Sequence, residues 1–361
     1  MGAVVSVIFS IKVTLSGNNP DNINPLFIVE MKSIFIILDE ILKTLVFPNN
    51  FVSLINSFRM QIGMNKLLLI ILSILSIQCF AQTKGESKIY WISSAYTSFP
   101  DTARANGHLY EGVLYTAAEH YKDSSVLIIV PPHLKTEHTV DVVFWFHGWR
   151  NTIDSSVGYF ELAKQFIASN RNAIFIVPET TKDAPDSYGG KLEQHTVFKY
   201  LLNDVLDKLK KEKIIDKGIV AGNVVLAGHS GAFRVMAFIA EKGGVAINQI
   251  VLFDGLYSQI DKFSNWLQAD SARRFIHLYT NKGGGTDIVS IKMMEQLRDK
   301  NIAFVRIEEK ELNSSLLQTN PVIFIHSEKE HNDVMNRPDQ NFRLFLENSP
   351  LLKPVFFIKE K

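Results

Sequence analysis

The chain has 361 residues, is 46% hydrophobic and 21% charged, and carries a formal net charge of +1 from 38 Lys and Arg against 37 Asp and Glu. That balance gives no electrostatic reason to expect a nucleic-acid partner or an anionic membrane surface, and it suits a globular protein acting on small neutral or mixed-charge molecules. The single cysteine, Cys79, excludes an intramolecular disulfide framework and a paired-cysteine metal site.

In chain order the first legible signal is Met64-Asn65-Lys66, which leads into the apolar run Leu67 to Ile77 and then Gln78-Cys79-Phe80-Ala81 before Gln82. A basic start, a short apolar stretch and a small residue at a cut site are the anatomy of a secretory leader. The run is shorter than the ~20 apolar residues that span a bilayer, so no stable membrane span is expected in the mature protein. Residues 64–81 are read as a signal peptide, and 1–63 as translated upstream sequence or a leader built around Ile34 to Phe47. Residues 82–361 are the exported domain, periplasmic or extracellular. An acylated Cys79 is disfavoured by the bulky Gln78 before it.

From Gln82 onward short β-rich runs alternate with longer amphipathic stretches, the pattern of a mostly parallel sheet covered by helices on both faces. The spacing predicts strands in Lys88 to Ile92, Val126 to Val130, Asp141 to Phe146 and Ala173 to Val177, with a helix over Val157 to Ser169 between the last two. A helix over Val197 to Lys211 carries Val197, Leu201, Val205 and Leu209 on one stripe and Lys and Asp on the other. Strands then follow in Asn223 to Ala227, Gln249 to Phe253, Phe275 to Thr280, Ala303 to Ile307 and Val322 to Ile325. The helices between and after them are Ala232 to Glu241, Ile260 to Gln268, Val289 to Asp299 and Gln340 to Glu347.

The strongest local motif is Val224-Val225-Leu226-Ala227-Gly228-His229-Ser230-Gly231-Ala232, an apolar strand entering a tight Gly-x-Ser-x-small turn and then a helix. Such a turn needs small residues on either side, because the serine backbone is strained and its neighbours must clear both strand and helix. It resembles the nucleophile elbow of the α/β-hydrolase family, departing from it only in having Ala232 rather than glycine at the fifth position. The resemblance spans nearly the whole of 82–361 by element order. It implies an α/β-hydrolase fold without a large lid domain and makes Ser230 the nucleophile, with the Gly231 N–H as an oxyanion donor. His147-Gly148-Trp149, ending a central strand two strands earlier, is similar to the family's His-Gly-x segment. Trp149 would then supply the second donor through its N–H, supported by His147 and Gly148, with Gly228 and His229 supporting the elbow.

Serine needs a base, and the family places a histidine after the last strand. His326 ends an apolar strand, whereas His331 lies in the polar loop Ser327 to Asp333 and is the better base; His277, inside a strand, reads as a packed residue. The acid should leave a sheet end between the serine and the histidine. Asp254 follows the strand after the nucleophile helix and is preferred; Asp287, beyond Gly283-Gly284-Gly285, is the alternative. The glycine run lacks the Gly-Lys-Ser/Thr ending of a phosphate loop, and the histidines lack zinc-ligand spacing, so neither cofactor nor metal is implied. The loop Thr180 to Gln194 is long enough to border the site. Together these features point to a secreted serine hydrolase acting on small-molecule carboxylic esters. A peptidase or amidase on the same triad and a catalytically silent binding protein are the alternatives.

Overall fold

The computed structural model describes residues 86–336 and 339–355; the expected extension and signal peptide, 1–81, lie outside the described residues. Nine strands build one sheet: β1 (Lys88–Ser93), β4 (Ser125–Val130), β5 (Thr139–Phe146), β6 (Ala173–Pro178), β7 (Val220–His229), β8 (Gln249–Phe253), β9 (Arg274–Thr280), β10 (Val305–Glu308) and β11 (Val322–Ser327). They lie in the order β1-β4-β6-β5-β7-β8-β9-β11-β10. β4 runs antiparallel to both β1 and β6, and every other pairing is parallel.

The middle stretches of the central strands, 142–146, 173–177, 224–227 and 250–253, are continuous apolar runs because both faces are covered. Along β5, Val142, Phe144 and Phe146 enter one core while Val143 and Trp145 enter the other, as the two-residue period of a strand requires. The first core is closed by α4 (Val197–Lys211), α5 (Phe233–Lys242), α6 (Ile260–Ala269) and α7 (Thr286–Asp299). The second is closed by α2 (Ile153–Tyr159), α3 (Leu162–Ala168), α8 (Ser314–Thr319) and α9 (Asn341–Glu347). This is an α/β-hydrolase architecture, and no large lid domain interrupts it among the described residues.

The helix expected over Val157 to Ser169 is two helices, α2 and α3, and this corrects the sequence reading. α2 starts earlier because Thr152 and Ser155 form a capping box, and the pair is broken at Glu161, whose backbone is left-handed at φ 49°. The hairpin of β2 (His108–Tyr110) and β3 (Val113–Tyr115) and the single-turn helix α1 (Ala117–His120) had no periodic signature, being too short to show one.

Candidate active site

β7 ends at His229, and Ser230 takes φ 55°, a conformation uncommon outside glycine, before a 3₁₀ turn over Ser230–Ala232 leads into α5. The glycine two residues earlier makes this possible. A Cβ at Gly228 would lie 2.7 Å from the Ala232 methyl, 2.7 Å from Met236 Sδ and 3.0 Å from the Phe146 carbonyl oxygen. The space left by Gly228 is thus filled by the Ala232 methyl, which is why alanine serves at the fifth position.

Asp254 leaves β8 fully buried and with φ 39°. Its Oδ1 accepts from the Thr280 N–H at 2.9 Å and from the Thr286 hydroxyl; its Oδ2 accepts from the Thr280 hydroxyl at 2.8 Å and from His331 Nδ1 at 2.7 Å. Burial works against the charged carboxylate, but the hydrogen bonds from His331, Thr286 and Thr280 outweigh it and hold the group below the ordinary carboxylate range. The glycine run at 283–285 closes this pocket, since a Cβ on Gly283 would overlap the Asp254 carboxylate, 2.6 Å from its Cγ.

His331 sits in the loop between β11 and α9. Its carbonyl oxygen accepts from His229 Nε2 at 2.9 Å, and the two imidazoles are tilted at 4.5 Å between centroids. Burial, with the neighbouring His331, drives the His229 pKa down to about 3, so His229 is a neutral strut under the loop.

The loop after β5 meets the elbow edge-on. A Cβ at Gly148 would lie 2.8 Å from Ser230 Cβ, 2.9 Å from the His229 oxygen and 3.2 Å from the Gly231 nitrogen, so only glycine lets the two turns touch. The Trp149 indole is held by a 2.7 Å bond from Nε1 to Ser187 Oγ, in the 180–194 loop, and by an edge contact with Tyr110 at 5.5 Å. The same indole crosses Gly231, where a Cβ would come within 2.6 Å of Trp149 Cδ1 and 2.8 Å of Ser187 Oγ. Behind the loop, buried His147 pairs through Nε2 with Glu179 Oε1 at 2.5 Å, and Glu179 Oε2 accepts from the Ile153 N–H at 3.1 Å. Burial opposes the charged imidazole, but the Glu179 charge and hydrogen bond prevail and raise the His147 pKa.

The chain therefore brings together Ser230, Gly231, His331, Asp254, Gly148 and Trp149, with His147, Gly228 and His229 packed behind them. Asp287 stands apart, on the partly exposed first turn of α7, and Asp254 occupies His331 Nδ1 in its place. His326 pairs with Glu308 at 2.6 Å near the edge of the sheet, and His277 is buried between the Leu252 carbonyl and Ser290. Sequence reasoning missed Glu179, Thr280, Thr286 and Tyr257. The first three act only through tertiary neighbours, but Tyr257, three residues past the acid, could have been sought as a site-facing aromatic. Among the described residues no group of three or more His, Cys, Asp or Glu could hold a metal ion.

No family model matches the chain, and no curated protein matches it. Among solved structures it is similar to a ferulic acid esterase, at 9% identity and TM-score 0.45, over 73% of this chain and 98% of that one. It is similar also to an S-formylglutathione hydrolase from Staphylococcus aureus, at 11% identity and TM-score 0.40, over 73% and 98% of the two chains. A third is carboxyl esterase 2 from the mycorrhizal fungus Tuber melanosporum, at 11% identity and TM-score 0.41, over 74% and 86%.

Proposed function

We propose that the protein is a serine hydrolase that cleaves carboxylic esters through an acyl-enzyme. Ser230 Oγ attacks the acyl carbon as His331 takes its proton; the imidazolium returns that proton to the departing alcohol, and water then repeats the sequence on the acyl-enzyme. Asp254 occupies Nδ1 and so fixes the tautomer that leaves Nε2 for the Ser230 proton. The N–H groups of Trp149 and Gly231 hold the oxyanion. The observation that carries this reading is the 2.7 Å contact from the buried, four-fold hydrogen-bonded Asp254 to His331, beside a serine with left-handed backbone. We also read the enzyme as exported, on the leader-like stretch Met64 to Ala81.

The test is covalent labelling by a fluorophosphonate probe with peptide mapping, alongside hydrolysis of p-nitrophenyl acetate and of peptide anilides. Labelling at Ser230, lost together with ester hydrolysis in Ser230→Ala, is the expected result. Labelling with anilide turnover alone would make the protein an amidase, and absence of labelling on folded protein would make it a silent relative.

A further inference from the structure

The buried imidazole of His147 stands between two acceptors. Its Nε2 meets Glu179 Oε1 at 2.5 Å, and its Nδ1 meets the Gly148 carbonyl oxygen at 3.0 Å. A carbonyl oxygen only accepts, so Nδ1 carries a proton of its own, whichever side of the Glu179 contact the shared one sits on. The Glu179 carboxylate, just past β6, is fixed in turn. Its Oε2 accepts from the Ile153 N–H at 3.1 Å in the first turn of α2, and its Oε1 from the Thr180 N–H at 3.3 Å. The Thr180 hydroxyl lies 3.0 Å from Nε2. Such a buried pair contributes little net stability over apolar packing of the same volume, but it fixes a direction. What it fixes here is a peptide plane. The Gly148–Trp149 peptide is trans, so its C=O and N–H point in opposite directions. Turning the Gly148 carbonyl toward the buried ring therefore turns the Trp149 N–H away from it. Gly148 is also where this loop touches the elbow, its missing Cβ lying 2.8 Å from Ser230 Cβ and 3.2 Å from the Gly231 nitrogen.

We propose that His147 and Glu179 are positioning residues of the oxyanion hole: the bond from His147 Nδ1–H to the Gly148 carbonyl sets the plane of the Gly148–Trp149 peptide and so aims the Trp149 N–H at the oxygen of the tetrahedral intermediate. This rests on the ester-hydrolase reading above. Rotation of that plane would withdraw the N–H and turn the negative end of the Gly148 carbonyl dipole toward the developing charge. A bare Nδ1 would face the carbonyl lone pairs and favour that rotation, so the ring must keep its Nδ1 proton. Against the effect of burial, the Glu179 charge and hydrogen bond hold it there.

The experiment compares wild type with His147→Gln and His147→Asn in hydrolysis of p-nitrophenyl acetate, each rate divided by the Ser230 sites titrated to completion with a fluorophosphonate. Glutamine places an amide where Nε2 stands and keeps the Glu179 contact without the Gly148 bond. Asparagine places one where Nδ1 stands and keeps the Gly148 bond. His147→Gln is expected to lose kcat about 100-fold with KM within about twofold, as loss of an oxyanion donor does. His147→Asn is expected to stay within about tenfold of wild type, since its amide replaces the Nδ1–H donor. Inhibition by a trifluoromethyl ketone, whose adduct with Ser230 carries the oxyanion, should weaken in His147→Gln alongside kcat. A loss in His147→Asn as large as in His147→Gln, or a lower titratable fraction with unchanged kcat per site, would mean a merely structural role and overturn the assignment. On the wild type itself, ¹⁵N NMR spectra at neutral pH should show His147 Nδ1 protonated; a bare Nδ1 would overturn the assignment even if neither variant folds. A wild-type protein that is not labelled at Ser230 would overturn the hydrolase reading and this assignment with it, whereas normal labelling with an indifferent His147→Gln overturns the assignment alone.

Discussion

Asp254 and His331 are 77 residues apart in the chain, yet the carboxylate meets the imidazole at 2.7 Å inside a pocket from which solvent is excluded on the acid side. Removing the acid's charge while keeping its shape should leave His331 in the wrong tautomer. Asp254→Asn is expected to lower kcat for p-nitrophenyl acetate by ~10³- to 10⁴-fold, the scale of the same change in other triads. Asp287→Asn is expected to stay within about threefold of wild type, because helix-terminal surface substitutions act weakly. Comparable losses in the two variants, measured by initial rates, would reverse the assignment of the acid.

Gly148 is the hinge of the second prediction. A methyl there must displace Ser230 Cβ or the His229 carbonyl, which it would approach to 2.8 and 2.9 Å. Gly148→Ala is expected to cost ~1–3 kcal/mol of stability in urea denaturation, as overpacking does. The activity loss should be larger, on the order of 10²-fold, because the proposed oxyanion donor, the Trp149 N–H, moves with the loop. Retained activity in a destabilised protein would separate the loop from the chemistry.

The buried histidines set the acid limb of stability. His229, with its pKa at about 3, and His277, at about 4, stay neutral in the fold, whereas in the unfolded chain both protonate near ~6.5. Below ~6.5 the unfolded state therefore binds more protons, and each histidine removes up to ~1.4 kcal/mol of stability per pH unit as pH falls toward its folded value. Asp254, whose pKa is lowered, loses its own contribution only as pH falls further, through its folded value below ~3.9. His147 acts with the opposite sign: its pKa is raised, so its contribution is complete below ~6.5 and is lost as pH rises through the folded value. Urea denaturation across pH should show a flatter acid limb in His229→Asn and a flatter alkaline limb in His147→Asn. Unchanged slopes would mean that these rings carry the same charge folded and unfolded.

The leader reading makes a prediction about processing. Protein recovered from the periplasm or medium of a bacterial host should begin at Gln82, by N-terminal sequencing and intact mass. Peptides from 1–60 in the mature protein would refute both the upstream-extension reading and cleavage after Ala81.

Much of the fold was legible because a parallel sheet buried on both faces is written in short continuous apolar runs, as at 142–146 in β5, 173–177 in β6, 224–227 in β7 and 250–253 in β8. The elbow was legible for a related reason: a strained serine between strand and helix demands small neighbours, and that demand falls on adjacent positions. The break at Glu161 was not, since one left-handed residue leaves the apolar spacing on either side nearly intact.

What the sequence by itself determined is thus the alternation of elements and the turn that exposes Ser230, both encoded within a few residues by backbone sterics and burial. Only the tertiary structure decided that Asp254 rather than Asp287 meets His331, that Glu179 anchors His147, and that the Tyr257 ring stands beside His331. Those relations join residues from separate loops at the ends of strands. Their distances follow from strand order and packing, which no local spacing records.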